Sequence, residues 1–379
     1  MPSNQGRHAD LVCLTAIAAA VAALLAPWLL NGELAIVSPS ELGTDFLTRQ
    51  WPNAKYIVDS WKASGTVPRW YSAALGGLPI IGNPSMLLAY PPYWLIFLFP
   101  ISWALTLYFA LHLVWAGWGS YAFARQVLRV SPHGAFLSTL IFALSAKMVA
   151  HVGGGHVDAV AAVAWLPWFW WAVDRLARRP TFPVIAGAAA AASAQALTHL
   201  PTLWLSGLVA GCWALYVLIG DRRCRSVRPW LRAGGAALSA LLLAGGMSAV
   251  QLWPMVRLLP FSTRGAFPLS QAAQYALPVP LLVGLIFPGA LAFPEWTIYV
   301  GFVALALVPL SWLGNRPARA GRFLVATAVF GIAFSLGRAT PLYGLLFRVL
   351  PGMRWLRVPT RMMFIVQLSL ALLAGLGWD

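Results

Sequence analysis

The chain has 379 residues, 60% of them hydrophobic and only 9% charged, with a mean hydropathy of +0.74. Soluble domains carry roughly 25% charged and roughly 45–50% apolar residues, so 26 basic and 10 acidic side chains cannot clothe a water-soluble globule of this size; disorder, coiled coil and a disulfide scaffold fail the same arithmetic. The formal charge of +16 does not point to nucleic acid, because the Arg residues sit in short clusters between apolar runs, where topology signals belong.

The expected fold is all-α, a polytopic transmembrane helical bundle in one domain spanning 1–379. A span needs roughly 20 mostly apolar residues. Such runs fall at 11–30, 102–124, 134–150, 157–173, 182–198, 202–219, 234–258, 296–313, 323–336 and 361–378, which gives ten. The first is long for a cleavable signal peptide and reads as a retained anchor. A polar segment, 31–86, follows it. With the N-terminus placed in the cytoplasm, alternate loops carry the arginines (Arg125 and Arg129, then Arg175, Arg178 and Arg179, then Arg222 to Arg232), and the turns near 153–155 and 199–201 carry none. The 31–86 loop then faces outside. Two apolar stretches are short and broken, 87–100 by Pro91 and Pro92, and 279–293 by Pro280, Pro288 and Gly289. Both read as interfacial or re-entrant elements packed against other helices; were 279–293 a true span, everything after it would change sides. Cys13, Cys212 and Cys224 show no CxxC or Cys/His spacing, so neither a zinc framework nor redox chemistry is expected.

Three groups of polar residues could carry chemistry. The first loop holds Glu41, Asp45 and Trp51, then a glycine-proline turn from Gly76 to Pro84; here a helix-capping acid and a functional acid are both open. Lys147, His151, His156 and Asp158 bracket the triple glycine Gly153–Gly155. Lys147 and His151, four apart, share a helix face, and ionisable groups at membrane depth face a cavity or each other. A Lys147–Asp158 pair is the simplest structural reading, and the two histidines lack an obvious third metal ligand. Third, Arg338, Arg348, Arg354, Arg357 and Arg361 occur without one acid among them. Either the segment is cytoplasmic and obeys the topology rule, or it is outside and meets an anion. In the second case Arg357 and Arg361 flank the N-terminus of the last helix, where free N–H groups and a planar guanidinium fork suit a phosphate.

These landmarks carry a resemblance. Gly43-Thr44-Asp45, Pro68-Arg69-Trp70 with Gly76-Gly77-Leu78-Pro79, Tyr90-Pro91-Pro92, Ala150-His151 through Gly155-His156 to Ala164-Trp165-Leu166-Pro167-Trp168, and Arg357-Val358-Pro359-Thr360-Arg361 resemble, in order, the bacterial YfhO-type membrane proteins of the GT-C glycosyltransferase superfamily. The resemblance implies a GT-C core in the bacterial cytoplasmic membrane, a large first extracytoplasmic loop with a catalytic acid, and a polyprenyl-phosphate-linked sugar as donor to a cell-envelope glycan or protein acceptor. On that reading Asp45 is the general base, with Glu41 the second acid. Arg357 and Arg361, assisted by Arg354 or Arg338, bind the donor phosphate. His151, His156, Asp158, Lys147, Tyr90 and Trp51 line the substrate site. No cofactor is specified, and a divalent metal remains open. Members of that family are generally longer, so the chain reads as a short member or a fragment. A transporter or flippase for an anionic lipid or lipid-linked sugar, and a non-catalytic assembly subunit, are the alternatives.

Overall fold

The computed structural model describes residues 4–35, 46–74, 76–220, 226–262, 265, 267–289, 293–313 and 318–379. Glu41 and Asp45 lie outside these residues. Within them the molecule is helical apart from one two-stranded hairpin.

Helix α1 (Asn4–Asn31) leads into the first loop, where a π-helical turn (Phe46–Gln50) runs straight into α2 (Trp51–Ser64). Gly65 ends α2 in the left-handed region (φ +69°), its N–H donating to the Trp61 carbonyl, a common helix stop. The hairpin of β1 (Trp70–Tyr71) and β2 (Leu78–Pro79) then folds the loop back, pairing Trp70 with Pro79 and Tyr71 with Leu78. Gly77 (φ +111°) lies under the Trp70 indole, where any Cβ would overlap the ring.

The 87–100 stretch forms a 3-10 turn (Pro91–Trp94) and one turn of helix, α3 (Leu95–Leu98). Then come α4 (Ile101–Phe123), α5 (Pro132–Ala143), α6 (Ala146–Gly153), α7 (Val157–Ala164), α8 (Leu166–Arg178), α9 (Phe182–Thr198), α10 (Leu200–Gly220) and α11 (Val227–Leu258). After these follow α12 (Leu269–Ala272), α13 (Phe302–Leu307), α14 (Ala318–Ser335), α15 (Pro341–Val349) and α16 (Met363–Trp378).

Helix forms in each of the ten apolar runs. Among the described residues, however, six helical stretches are long and apolar enough to cross a membrane: Gly6–Asn31, Ile101–Leu128, Pro132–Gly153, Leu200–Gly220, Val227–Phe261 and Pro359–Trp378. Three of the other runs are divided or short. The 157–173 run divides at Trp165, because Pro167 opens α8 and cannot donate to the preceding turn. Phe182–Thr198 and Phe302–Trp312 are apolar but shorter. Between 279 and 289 a 3-10 coil (Val279–Leu285) forms in place of a membrane-length helix.

Helix α16 is the buried axis. Residues 363–376 are all buried, and α5 and α14 pack directly against the helix. A helix apolar on every side belongs in a core. Gly375 permits the closest approach: a Cβ there would strike Ser138 Oγ and the Gly134 carbonyl of α5. By contrast α11 turns Leu238, Leu241, Leu242, Met247, Val250 and Trp253 outward, as a lipid-facing helix does.

Gly375→Ala is therefore expected to lower the apparent melting temperature of the detergent-purified protein by the equivalent of about 1–3 kcal/mol of overpacking. Gly211→Ala in α10, where a Cβ meets nothing within 4 Å, is expected to leave it unchanged or raised. Equal behaviour of the two variants would contradict the packing of α16 on α5.

Candidate active site

The helix-breaking segments converge on one place. The Ser145 hydroxyl accepts from the Met148 N–H and starts α6, which puts Lys147 and His151 one turn apart on its buried face. The turn Pro294–Trp296 packs against α6 and delivers Glu295. The segment before α16 delivers Arg357 and Arg361, and the α9–α10 junction delivers His199.

Glu295 is the centre of this group. Its Oε1 is 3.1 Å from Arg361 Nε. Its Oε2 is 3.4 Å from His151 Nε2 and 3.9 Å from Lys147 Nζ. Lys147 is fully buried and donates to the Glu295 and Pro294 carbonyls at 2.9 and 3.4 Å, its ammonium 5.0 Å from the centre of the Phe364 ring. His151 Nδ1 donates to the Lys147 carbonyl at 2.9 Å, so its Nε2 can bond Glu295 only when the ring carries a second proton. Burial pushes the Glu295 carboxyl up, but the Arg361 guanidinium, the His151 ring and the Lys147 ammonium outweigh it and hold the group well below the usual carboxylate range.

Arg361 Nη1 donates to His199 Nε2 at 2.6 Å. A neutral His199 then carries its proton on Nδ1, which donates to Thr202 Oγ1 at 2.8 Å. Burial, with Arg361 beside it, pushes His199 down to about 3, consistent with a permanent acceptor. Two of the three guanidinium nitrogens of Arg361 are thereby fixed. Among the described residues Nη2 has no partner.

All this borders a cavity of about 2680 Å³. Its polar wall presents Arg49, His156, Asp158, His199, Glu295, Arg357 and Arg361. Its apolar wall comes from several helices, with Leu24 and Trp28 of α1, Val149 of α6, Leu203 of α10 and Met255 of α11. Arg49 donates to Ser85 Oγ at 2.8 Å and stands 3.9 Å from Asp158 Oδ2. Arg357 donates to Gln274 Oε1 at 2.6 Å and leaves a buried Nε unpartnered. Between Arg357 and Pro359, Val358 adopts φ +63°, an outlier for a β-branched residue and the kind of strain that clusters at working sites. Thr360 secures the segment by donating to the Tyr275 carbonyl at 2.9 Å.

The sequence-derived residues therefore separate. Arg357, Arg361, His156 and Asp158 line the cavity. Lys147 and His151 sit behind its wall and reach it through Glu295, Pro294 and the His156 ring. The expected Lys147–Asp158 pair does not form: Lys147 turns to Glu295, and Asp158 faces Arg49. Tyr90 is buried away from the cavity, its hydroxyl held at 2.8 Å from both His112 Nε2 and Trp165 Nε1; these bonds make it a brace between α4 and the α7–α8 junction. Trp51 opens α2 and packs against Phe46. Arg354 is exposed over the Phe347 ring, and Arg338 lines a separate cleft. Among the described residues no three His, Cys, Asp or Glu side chains gather as a metal-ligand group.

Glu295, His199 and Arg49 were not singled out from sequence. Glu295 had a usable signal, as a lone acid bounded by apolar runs at 279–293 and 296–313, since such an acid seeks a cation. His199 and Arg49 had none beyond their residue type.

Two solved structures share this fold. The arabinofuranosyltransferase AftD from mycobacteria aligns over 94% of this chain at 19% identity, with a TM-score of 0.55. ArnT from Cupriavidus metallidurans aligns over 96% at 18% identity, also with a TM-score of 0.55. The likeness is one of fold. It agrees with the all-α, polytopic helical architecture expected from the sequence. This chain spans 24% of the AftD chain and 59% of the ArnT chain. No family model and no curated protein matches the sequence.

Glu295→Gln leaves two buried cations without their carboxylate and is expected to destabilise the protein by about 3–5 kcal/mol. Because the folded carboxyl titrates below its ordinary value of 4.5, its contribution is present at neutral pH and lost only as pH falls through that depressed value. Thermal unfolding of wild type and variant should thus differ most near neutral pH and converge in stronger acid. Equal stability at neutral pH would contradict the cluster.

Proposed function

We propose that the chain is a membrane glycosyltransferase that takes a sugar from a polyprenyl-phosphate-linked donor and passes it to a cell-envelope acceptor, in keeping with the YfhO-type resemblance. The reading rests most on one observation: two guanidinium groups with uncommitted nitrogens, Arg357 and Arg361, stand on the wall of a cavity whose other wall is apolar and built from helices. A lipid phosphate needs both surfaces at once.

In the proposed reaction an acceptor hydroxyl oxygen attacks the anomeric carbon. The bond from that carbon to the phosphate oxygen breaks, and polyprenyl phosphate leaves with the electron pair. Asp45 receives the hydroxyl proton as general base. Glu41 is the second candidate acid for that role. Charge grows on the phosphate as the bond breaks, and Arg361, already locked by Glu295 and His199, stabilises it without reorganising. Arg357 adds a second donor. His156, Asp158 and Arg49 line the remaining polar wall and suit sugar hydroxyls, while the polyprenyl chain lies against the apolar side. Among the described residues the group sets four cations, Lys147, Arg361, Arg357 and Arg49, beside two carboxylates, Glu295 and Asp158.

The test is loss of labelled sugar from a polyprenyl-phosphosugar incubated with purified protein and an envelope-glycan acceptor. Wild type is expected to turn over. Asp45→Asn should lose about 10²–10⁴-fold in rate and Arg361→Gln about 10²–10³-fold, both with the protein folded. Translocation of the donor without cleavage, or an Asp45→Asn protein working at the wild-type rate, would overturn the proposal.

A further inference from the structure

The five acid-free arginines between 338 and 361 meet different fates. Arg361 is ion-paired, Arg357 is hydrogen-bonded to Gln274, and Arg354 covers Phe347. Arg338 and Arg348 have neither an ion pair nor a side-chain hydrogen bond among the described residues. They nevertheless face a common space. Arg338 sits in the 3-10 turn Gly337–Ala339 just after α14, and Arg348 in the last turn of α15. Between them is a cleft of about 390 Å³ lined also by Leu269, Thr340, Pro341, Gly344 and Leu345. Among the described residues no acid lines it, and it shares no residue with the large cavity.

Helix α15 is fixed from beneath. Tyr343 is buried and its hydroxyl donates to the Ala272 carbonyl at 2.9 Å. Its outer side carries Leu345, 60% exposed, and Val349, 67% exposed, next to Arg348. Apolar residues beside cationic ones on the outside of a short helix are the mark of an element lying in the membrane interface. Two guanidinium groups aimed at one cleft repel each other unless an anion enters. Arg matches phosphate oxygens in a bidentate fork.

We infer that Arg338 and Arg348 hold the phosphate of an anionic phospholipid, whose acyl chains cover Leu345 and Val349. The site is independent of the sugar-transfer reading, because neither residue reaches the large cavity. The shared chemistry is a phosphate monoanion or diester; the exposed apolar side chains favour a lipid over free phosphate.

Native mass spectrometry of the detergent-purified full chain tests this with phosphatidylglycerol, phosphatidylcholine and inorganic phosphate as probes. Wild type should retain phosphatidylglycerol in preference to phosphatidylcholine and gain no comparable adduct with inorganic phosphate. Arg338→Gln or Arg348→Gln should each weaken phosphatidylglycerol binding about fivefold, and the double variant about thirtyfold. Arg228→Gln/Arg232→Gln, a charge-matched change on α11, should leave it unaltered. Equal phosphatidylglycerol binding by wild type and the double variant would overturn the inference. So would an equal loss in the α11 variant, or inorganic phosphate competing as strongly as the lipid.

Discussion

A single buried carboxylate organises the functional half of this molecule. Glu295 reaches into a region where Lys147, His151 and Arg361 converge from α6 and from the start of α16. Burying any of these charges alone would cost several kcal/mol, and their mutual attraction offsets that cost only while the geometry is kept. Such a cluster specifies position more than it adds stability. It explains how a turn of three residues, Pro294–Trp296, can have a fixed place against α6 when the described residues just after it form no regular helix. Lys147 binds this turn twice, by charge to the Glu295 carboxylate and by hydrogen bonds to two of its carbonyls.

The same cluster sets the face that Arg361 offers. With Nε taken by Glu295 and Nη1 by His199, the guanidinium plane cannot rotate, and one edge remains directed to the cavity. A pre-oriented donor in a partly desolvated wall is worth more than a flexible one, since nothing reorganises when an anion arrives. The strained Val358 and the Thr360–Tyr275 bond hold Arg357 close by in the same segment. The lipid-facing character of α11 and the burial of α16 place this arrangement inside a membrane bundle and not on a soluble surface.

Much of the fold was legible in the sequence, because apolar length is a direct physical requirement of a bilayer. Each of the ten apolar runs contains helix. What the runs could not give was continuity: Pro167 splits one, and Phe182–Thr198 and Phe302–Trp312 stop short, so fewer helices reach membrane length. The arginine segment was legible in part. Arg357 and Arg361 stood out as a cationic pair at a helix start, but the separate fates of Arg338 and Arg354 depend on where α15 turns, and no local pattern sets that. Tyr90 misled because the resemblance marks it as a site residue, whereas His112 and Trp165, distant in sequence, claim its hydroxyl. Lys147 misled for a similar reason. Its natural partner by proximity was Asp158, eleven residues on, and the carboxylate that takes it is Glu295, supplied from far along the chain by tertiary packing.

The most direct measurement is a structure of the protein with bound polyprenyl phosphate. The phosphate is expected within about 3 Å of the guanidinium nitrogens of Arg361 and Arg357, with Glu295 still paired to Arg361 and the polyprenyl chain against α1 and α11. A phosphate bound elsewhere with the large cavity empty, or an Arg361 that leaves Glu295 to reach it, would contradict the account.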